Sequence, residues 1–181
     1  MTPLREIRAD FDDGTIVVYQ AYRPEIAEAA VKAQRFVPPF SMDRMTWIKP
    51  SFLWMMERCG WATKPGQERV LAIRITRAGW EEALGQAALS EEEVDDAPVR
   101  VQWDPERDIR GLKLPYRSIQ VGLGPPVVPH YVRKWTTEIS DITPLVAELR
   151  DSRDVSKLPV ERPYPAPEAI AARLRMTPPG A

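Results

Sequence analysis

Between Arg35 and Gln67 the chain sets Arg35, Arg44, Lys49, Arg58 and Lys64 among Phe36, Phe40, Trp47, Phe52, Trp54 and Trp61. Guanidinium and ammonium groups hold phosphate or carboxylate, while indole and phenyl faces stack on a base or an arginine plane. The mixture suits a flat anionic ligand, so a nucleotide or another anionic small molecule is the expected partner. Arg35, Arg44 and Lys49 stand in or beside proline-constrained loops, which display side chains on a fixed backbone. They are the expected anion contacts, with surface ion pairs to Asp43 or Glu57 as the alternative. Trp47 or Tyr22 is expected against the ring. Gln20 shares a strand face with Tyr22, because alternate residues of a strand point the same way.

Other chemistries find less support. Thr63-Lys64-Pro65-Gly66 lacks the spaced glycines and Gly-Lys-Ser/Thr ending of a phosphate loop. Cys59 and His130 would form a nucleophile and base only if the fold joined them, and a lone cysteine ending an apolar helix is usually buried and inert. Paired carboxylates are not apparent, since Glu91, Glu92 and Glu93 read as a solvated run. The single cysteine and single histidine exclude an internal disulfide and a Cys/His zinc cluster, so no metal is expected.

The elements that must carry these groups follow from local pattern. Thr15 to Tyr22, β-branched and aromatic after Asp13-Gly14, predicts a strand. Pro24 opens a helix to about Gln34, and Val37-Pro38-Pro39-Phe40-Ser41 is a rigid loop. Ser51 to Cys59 predicts a short helix stopped by Gly60, with Phe52, Trp54, Met55 and Met56 mostly in the core. Glu68 to Thr76 is a strand, Ala78 to Ala88 a helix and Ser90 to Ala97 an acidic linker. Pro98 to Trp103 and Tyr116 to Val121 are strands, and helices are expected at Pro129 to Thr136 and Thr143 to Arg150.

Six prolines from Pro159 onward predict an extended C-terminal tail. The expected architecture is therefore α+β. One domain spans residues 1–160, with a central, mainly antiparallel sheet, split or continuous, and flanking helices; a proline-rich tail covers 161–181.

Twenty-five basic and 26 acidic side chains nearly cancel, which argues against a protein that coats DNA or a membrane by overall charge. The cations are nevertheless local. Ten Lys/Arg face five Asp/Glu between Arg23 and Arg77, whereas Glu81 to Asp108 reverses the balance. The N-terminus lacks an apolar signal core and no apolar run could span a bilayer, so a cytoplasmic location without membrane contact is expected.

Met45-Thr46-Trp47-Ile48-Lys49-Pro50-Ser51-Phe52-Leu53-Trp54-Met55-Met56, Gly60-Trp61-Ala62, Gln67-Glu68-Arg69-Val70-Leu71-Ala72-Ile73 and Pro115-Tyr116-Arg117-Ser118-Ile119-Gln120-Val121-Gly122-Leu123 closely resemble the family called domain of unknown function 4291. The resemblance runs over roughly residues 4 to 165 and implies no activity. A more distant resemblance is to ADP-ribosyltransferase-like folds, which bind NAD in the cleft of a split sheet. It implies that Thr15 to Tyr22 and Tyr116 to Leu123 flank the ligand, with Arg117 near it and Gln120 at the catalytic position. Such enzymes usually carry a Glu there, matched to positive charge developing as nicotinamide leaves. An amide can bind a ribose hydroxyl but supplies no charge. Arg117 and Gln120 also differ in strand parity, so one ligand atom would not be gripped by both.

Three readings stand at this point. The first is a nucleotide- or NAD-binding protein, extended by the resemblance to a transferase. The second is a non-catalytic nucleic-acid-binding module, and the third a protein-interaction domain using exposed aromatics.

Overall fold

Asp12 starts the first long strand by closing a turn on itself. Its carboxylate accepts from Gly14 N at 2.9 Å, Thr15 N at 2.7 Å and Thr15 Oγ1 at 2.9 Å. In the computed structural model, which describes residues 1–181, the short strand β1 (Arg8–Ala9) precedes this turn and β2 (Thr15–Tyr22) follows it. Helix α1 (Pro24–Ala33) begins at proline, which suits the first helical turn, and ends at Gln34 in the left-handed region.

Next come β3 (Thr46–Ile48) and α2 (Phe52–Cys59). Ser51 caps α2 by accepting from Trp54 N at 3.1 Å, and Gly60 ends it at φ 58°. Strand β4 (Arg69–Thr76) runs into α3 (Arg77–Gly85), capped by Thr76. Strands β5 (Ala87–Leu89), β6 (Val99–Arg107) and β7 (Lys113–Leu123) follow. Helix α4 (Val128–His130) continues as a π turn over Tyr131–Trp135 into β8 (Thr136–Asp141) and α5 (Thr143–Ser152). A 3-10 turn (Val155–Lys157), β9 (Arg162–Pro163) and α6 (Glu168–Arg173) complete the chain.

The fold is α+β, with nearly all strand pairs antiparallel; β5 against β6 is the parallel one. Strand β1 pairs with β9 as a separate two-stranded ribbon, and the two larger sheets have the orders β2-β4-β8 and β3-β7-β6-β5. They meet where Tyr19 of β2 bridges Lys49, just past β3, through Tyr19 N donating to Lys49 O at 2.8 Å. Of the two arrangements left open, split or continuous, the structure takes the split one, with two larger sheets joined at a single backbone bridge. Strand β2 is buried on both faces, which explains its unbroken apolar run. Ile16 and Val18 enter the main core, whereas Val17 and Tyr19 pack with Phe52, Met55, Met56 and Cys59 of α2 and Val146 and Leu149 of α5.

Most expected elements agree with the structure, but the short strands β1 and β3 were not expected, β3 falling inside the cationic and aromatic block, and three further differences stand out. The helix placed over Ala78 to Ala88 stops at Gly85, and Ala87–Leu89 is strand β5. Strand β8 was not expected, because an edge strand with only Ile139 buried shows little apolar alternation.

The third difference concerns the proline-rich segment, which folds back onto the domain instead of extending from it. Strand β9 pairs with β1, and Tyr164, Ile170 and Leu174 are buried. Arg162 lies 3.9 Å from the Phe11 ring centroid, and Arg77 lies over both Phe11 and Tyr164. Trp103 Nε1 donates to Leu174 O at 3.0 Å. Burial of three large side chains, each contributing about 1.5–3 kcal/mol, works together with the strand pairing and the aromatic–arginine contacts to order a segment whose composition alone suggested an extended tail.

Candidate functional site

The junction of the two sheets opens as a cleft. Strand β3 presents Trp47 outward from its middle, and Lys49, two residues on, shares that face. Gly122 lies opposite Trp47 in β7, and a Cβ there would come within 2.9 Å of the indole. Glycine at this place lets the ring lie against the sheet. Gln20 and Tyr22 of β2 form the second wall, and Met55 and Arg58, three apart on α2, form the third.

With Ala21, Arg44, Met45, Thr46 and Gln67 these residues line a cavity of about 360 Å³. No acidic residue lines it. A smaller lobe of about 200 Å³ adjoins it, sharing Tyr22, Arg44, Met45 and Thr46 and adding Arg23, Ile26, Pro39, Phe40 and Ser41.

Lys49 is the unusual group. It is 5% exposed, lines the cavity, and makes no ion pair or side-chain hydrogen bond. Burial first, then the Arg58 charge, push its ammonium down to about 8, against a smaller opposing pull from Asp104 and Cys59. Its Nζ reaches the cavity surface, but an ammonium so largely desolvated and without a protein partner is costly to hold, and an anion entering the cavity would complete it. Arg44 and Arg58, both exposed and free of ion pairs, add two further cations at the rim.

The wall formed by β2 is a fixed polar network. Gln20 is 4% exposed, and its Nε2 donates to Trp47 O at 3.1 Å and to the Tyr22 hydroxyl at 3.0 Å. Its Oε1 accepts from the Tyr131 hydroxyl at 2.6 Å. The Tyr22 ring is held edge-on by Phe36 and Phe40, with centroids 5.5 and 5.9 Å away. Burial raises the hydroxyls of both tyrosines above the ordinary phenol range, so neither ionises near neutral pH.

Five of the sequence-predicted residues, Gln20, Tyr22, Arg44, Trp47 and Lys49, therefore share one cavity. Three others stand elsewhere. Arg35 is exposed just past α1 and lines neither lobe. Arg117 is exposed on β7, bound through its backbone N to Leu4 O at 2.7 Å. Gln120 lies on the opposite face of β7 from Arg117, but its amide is engaged, donating to Gln102 Oε1 at 2.7 Å and Asp104 Oδ2 at 2.8 Å. Burial raises the Asp104 carboxyl, against the pull of the Gln120 bond and the Lys49 charge. Arg58, Met55 and Gln67 were not singled out as site residues, although the three-residue spacing of Met55 and Arg58 was a usable signal.

Paired carboxylates do occur, contrary to expectation. Glu106 accepts from Ser51 Oγ at 2.9 Å and Glu161 from Phe52 N at 2.9 Å, so both sit at the start of α2. They line a separate cavity of about 300 Å³ with Arg8 and Tyr116. Burial, then the nearby Glu106 charge, raise Glu161 to about 8 against the Phe52 N–H bond, so it holds its proton at neutral pH. Cys59 is fully buried, whereas His130 is exposed and stacks on Trp135. Trp47, Trp61, Trp103 and Tyr116 are the aromatic side chains that remain partly exposed outside the core, together with the partly covered Tyr22.

The conspicuous block from Met45 to Met56 lies at the sheet junction, within the stretch of sequence that places the chain in a family. The chain belongs to the family described as a domain of unknown function (DUF4291), whose profile matches residues 6–164. No curated protein matches it. No helix is long and apolar enough to cross a membrane.

Proposed function

We propose that the protein binds a nucleotide or an NAD-like dinucleotide in the cleft at the sheet junction. Phosphate lies against Lys49, Arg44 and Arg58, and a ring lies against Trp47 or Tyr22. The observation that carries this reading is Lys49, a buried lysine without a protein partner in an acid-free cavity. Carboxylate ligands satisfy the charge alone, but the aromatic walls and the adjoining lobe favour a phosphate attached to a planar group.

A transferase acting on NAD is the catalytic extension of this proposal, in a cytoplasmic protein. Gln120 then acts indirectly, by holding Asp104, the carboxylate whose charge bears on Lys49. Release of nicotinamide from NAD, and its loss in Asp104→Asn, tests that step.

Binding is tested by thermal shift with AMP, ADP, NAD, inorganic phosphate and short RNA and DNA, because a ligand of the folded state raises its melting temperature. A nucleotide shift that Lys49→Met abolishes is the expected result. A shift given only by RNA or DNA, weakening steeply with salt, replaces the nucleotide reading with nucleic-acid binding. No shift with any probe overturns both.

A further inference from the structure

The hydrogen-bond polarity of the Gln20 network has a consequence for what the cleft accepts. Trp47 O can only accept, so the Gln20 amide must turn its Nε2 toward it, 3.1 Å away. The opposite amide orientation would set Oε1 against a carbonyl oxygen. With Nε2 so placed, Oε1 faces the buried Tyr131 hydroxyl, which donates to it at 2.6 Å. The second Nε2 hydrogen goes to the Tyr22 oxygen at 3.0 Å.

Tyr22 thus accepts from Gln20, and its own hydrogen has no acceptor in the protein. The Tyr22 side chain lines both lobes, at the place where they join. From this we infer that Tyr22, its direction set by Gln20, donates a hydrogen bond to an acceptor oxygen that links the phosphate of the ligand to its ring-bearing part.

The inference rests on the nucleotide reading and narrows it to nucleoside phosphates that present an oxygen acceptor at the junction. Gln20 is a positioning residue here, and Tyr22 sets specificity. Tyr22 and Arg44 both present donors at the junction, and a ligand that placed a donor against Tyr22 would leave the phenol hydrogen unpaired.

The test uses AMP as probe, with affinity measured by calorimetry on the folded protein. Tyr22→Phe keeps the ring and removes only the hydroxyl; AMP affinity is expected to fall about tenfold, the worth of one hydrogen bond to a charged or strongly polar acceptor. Gln20→Leu is expected to weaken binding similarly, and the double variant no further, because both remove one oriented donor. Incorporating 3-fluorotyrosine at position 22 makes the hydroxyl more acidic; a donor then binds AMP more tightly, whereas an acceptor binds it more weakly.

Tighter binding by the fluorinated protein together with the loss in Tyr22→Phe supports the inference. Unchanged affinity in Tyr22→Phe, or weaker binding on fluorination, overturns it. If Lys49→Met abolishes AMP binding while Tyr22→Phe does not alter it, this inference alone falls. If the wild-type protein binds ADP or NAD but not AMP, this inference again falls alone; if it binds none of the three, the nucleotide reading falls with it.

Discussion

Replacing Lys49 with methionine should make the protein more stable and, at the same time, unable to hold its ligand. Methionine fills a similar volume without charge. The wild-type ammonium is depressed from 10.5 to about 8 by burial and by Arg58. At about 1.4 kcal/mol for each tenfold change in a proton equilibrium, keeping that charge in the folded protein costs roughly 3 kcal/mol at neutral pH.

Below the folded value near 8 both folded and unfolded chains carry the proton, and the cost is constant. Between about 8 and 10.5 the unfolded chain binds more proton than the folded one, so wild-type stability rises with pH across that window. The methionine variant lacks this rise. Urea unfolding at neutral pH should show the variant more stable by roughly 3 kcal/mol, with the advantage shrinking by about pH 9.5. Asp104, Arg58 and Cys59 also bear on Lys49, and because loss of the Lys49 charge raises the Asp104 carboxyl further, the two proteins are compared at and above neutral pH, on the alkaline side of carboxyl titration. A variant less stable than wild type by the same amount at both pH values would mean that the ammonium has a folded-state partner. The cleft would then not be awaiting an anion, and the trade of stability for binding would be refuted.

Gln120→Ala removes donors from Gln102 and Asp104, so it should cost about 1–3 kcal/mol of stability and leave AMP affinity unchanged on the folded fraction; lost affinity at full stability would return Gln120 to the site. Leu174→Ala, at a fully buried position, should cost about 2–5 kcal/mol in thermal unfolding, and a chain ending at Arg162 should lose cooperative unfolding. A negligible cost would show that the C-terminal segment docks only weakly. Glu161, raised from 4.5 to about 8, keeps a proton in the folded state that the unfolded chain releases, so wild-type stability should fall as pH rises through that window. Glu161→Gln should flatten that slope, and equal slopes in the two proteins would refute the buried protonated carboxyl.

Much of the scaffold was legible locally. Strand β2, helices α1 and α2, strand β4 and helix α5 are written in short-range signals: a turn before β-branched residues, proline at a helix start, Ser51 and Gly60 as caps. These act over a few residues, so no knowledge of distant partners is needed. The grouping of Gln20 with Tyr22 likewise follows from the two-residue period of a strand, whereas that of Trp47 with Lys49 depended on β3, which the local pattern did not announce.

Tertiary structure decided which of these faces meet. Arg35 belongs to the same cationic block as Arg44, yet it stands just past the end of α1 and away from the cleft, because proximity along the chain does not specify direction in space. The fate of Gln120 was set by the β6–β7 register, which places Gln102 opposite it, a pairing that depends on long-range strand order. Glu106 and Glu161 converge on the start of α2 from segments far apart in the chain. The proline-rich C-terminus folds because Phe11, Arg77 and Trp103 offer it a surface. Residue types and local spacing thus determined the elements and the chemical character of the cleft. Its membership and the unpaired burial of Lys49 came from long-range packing, where the gain from removing apolar surface from water outweighs local preference.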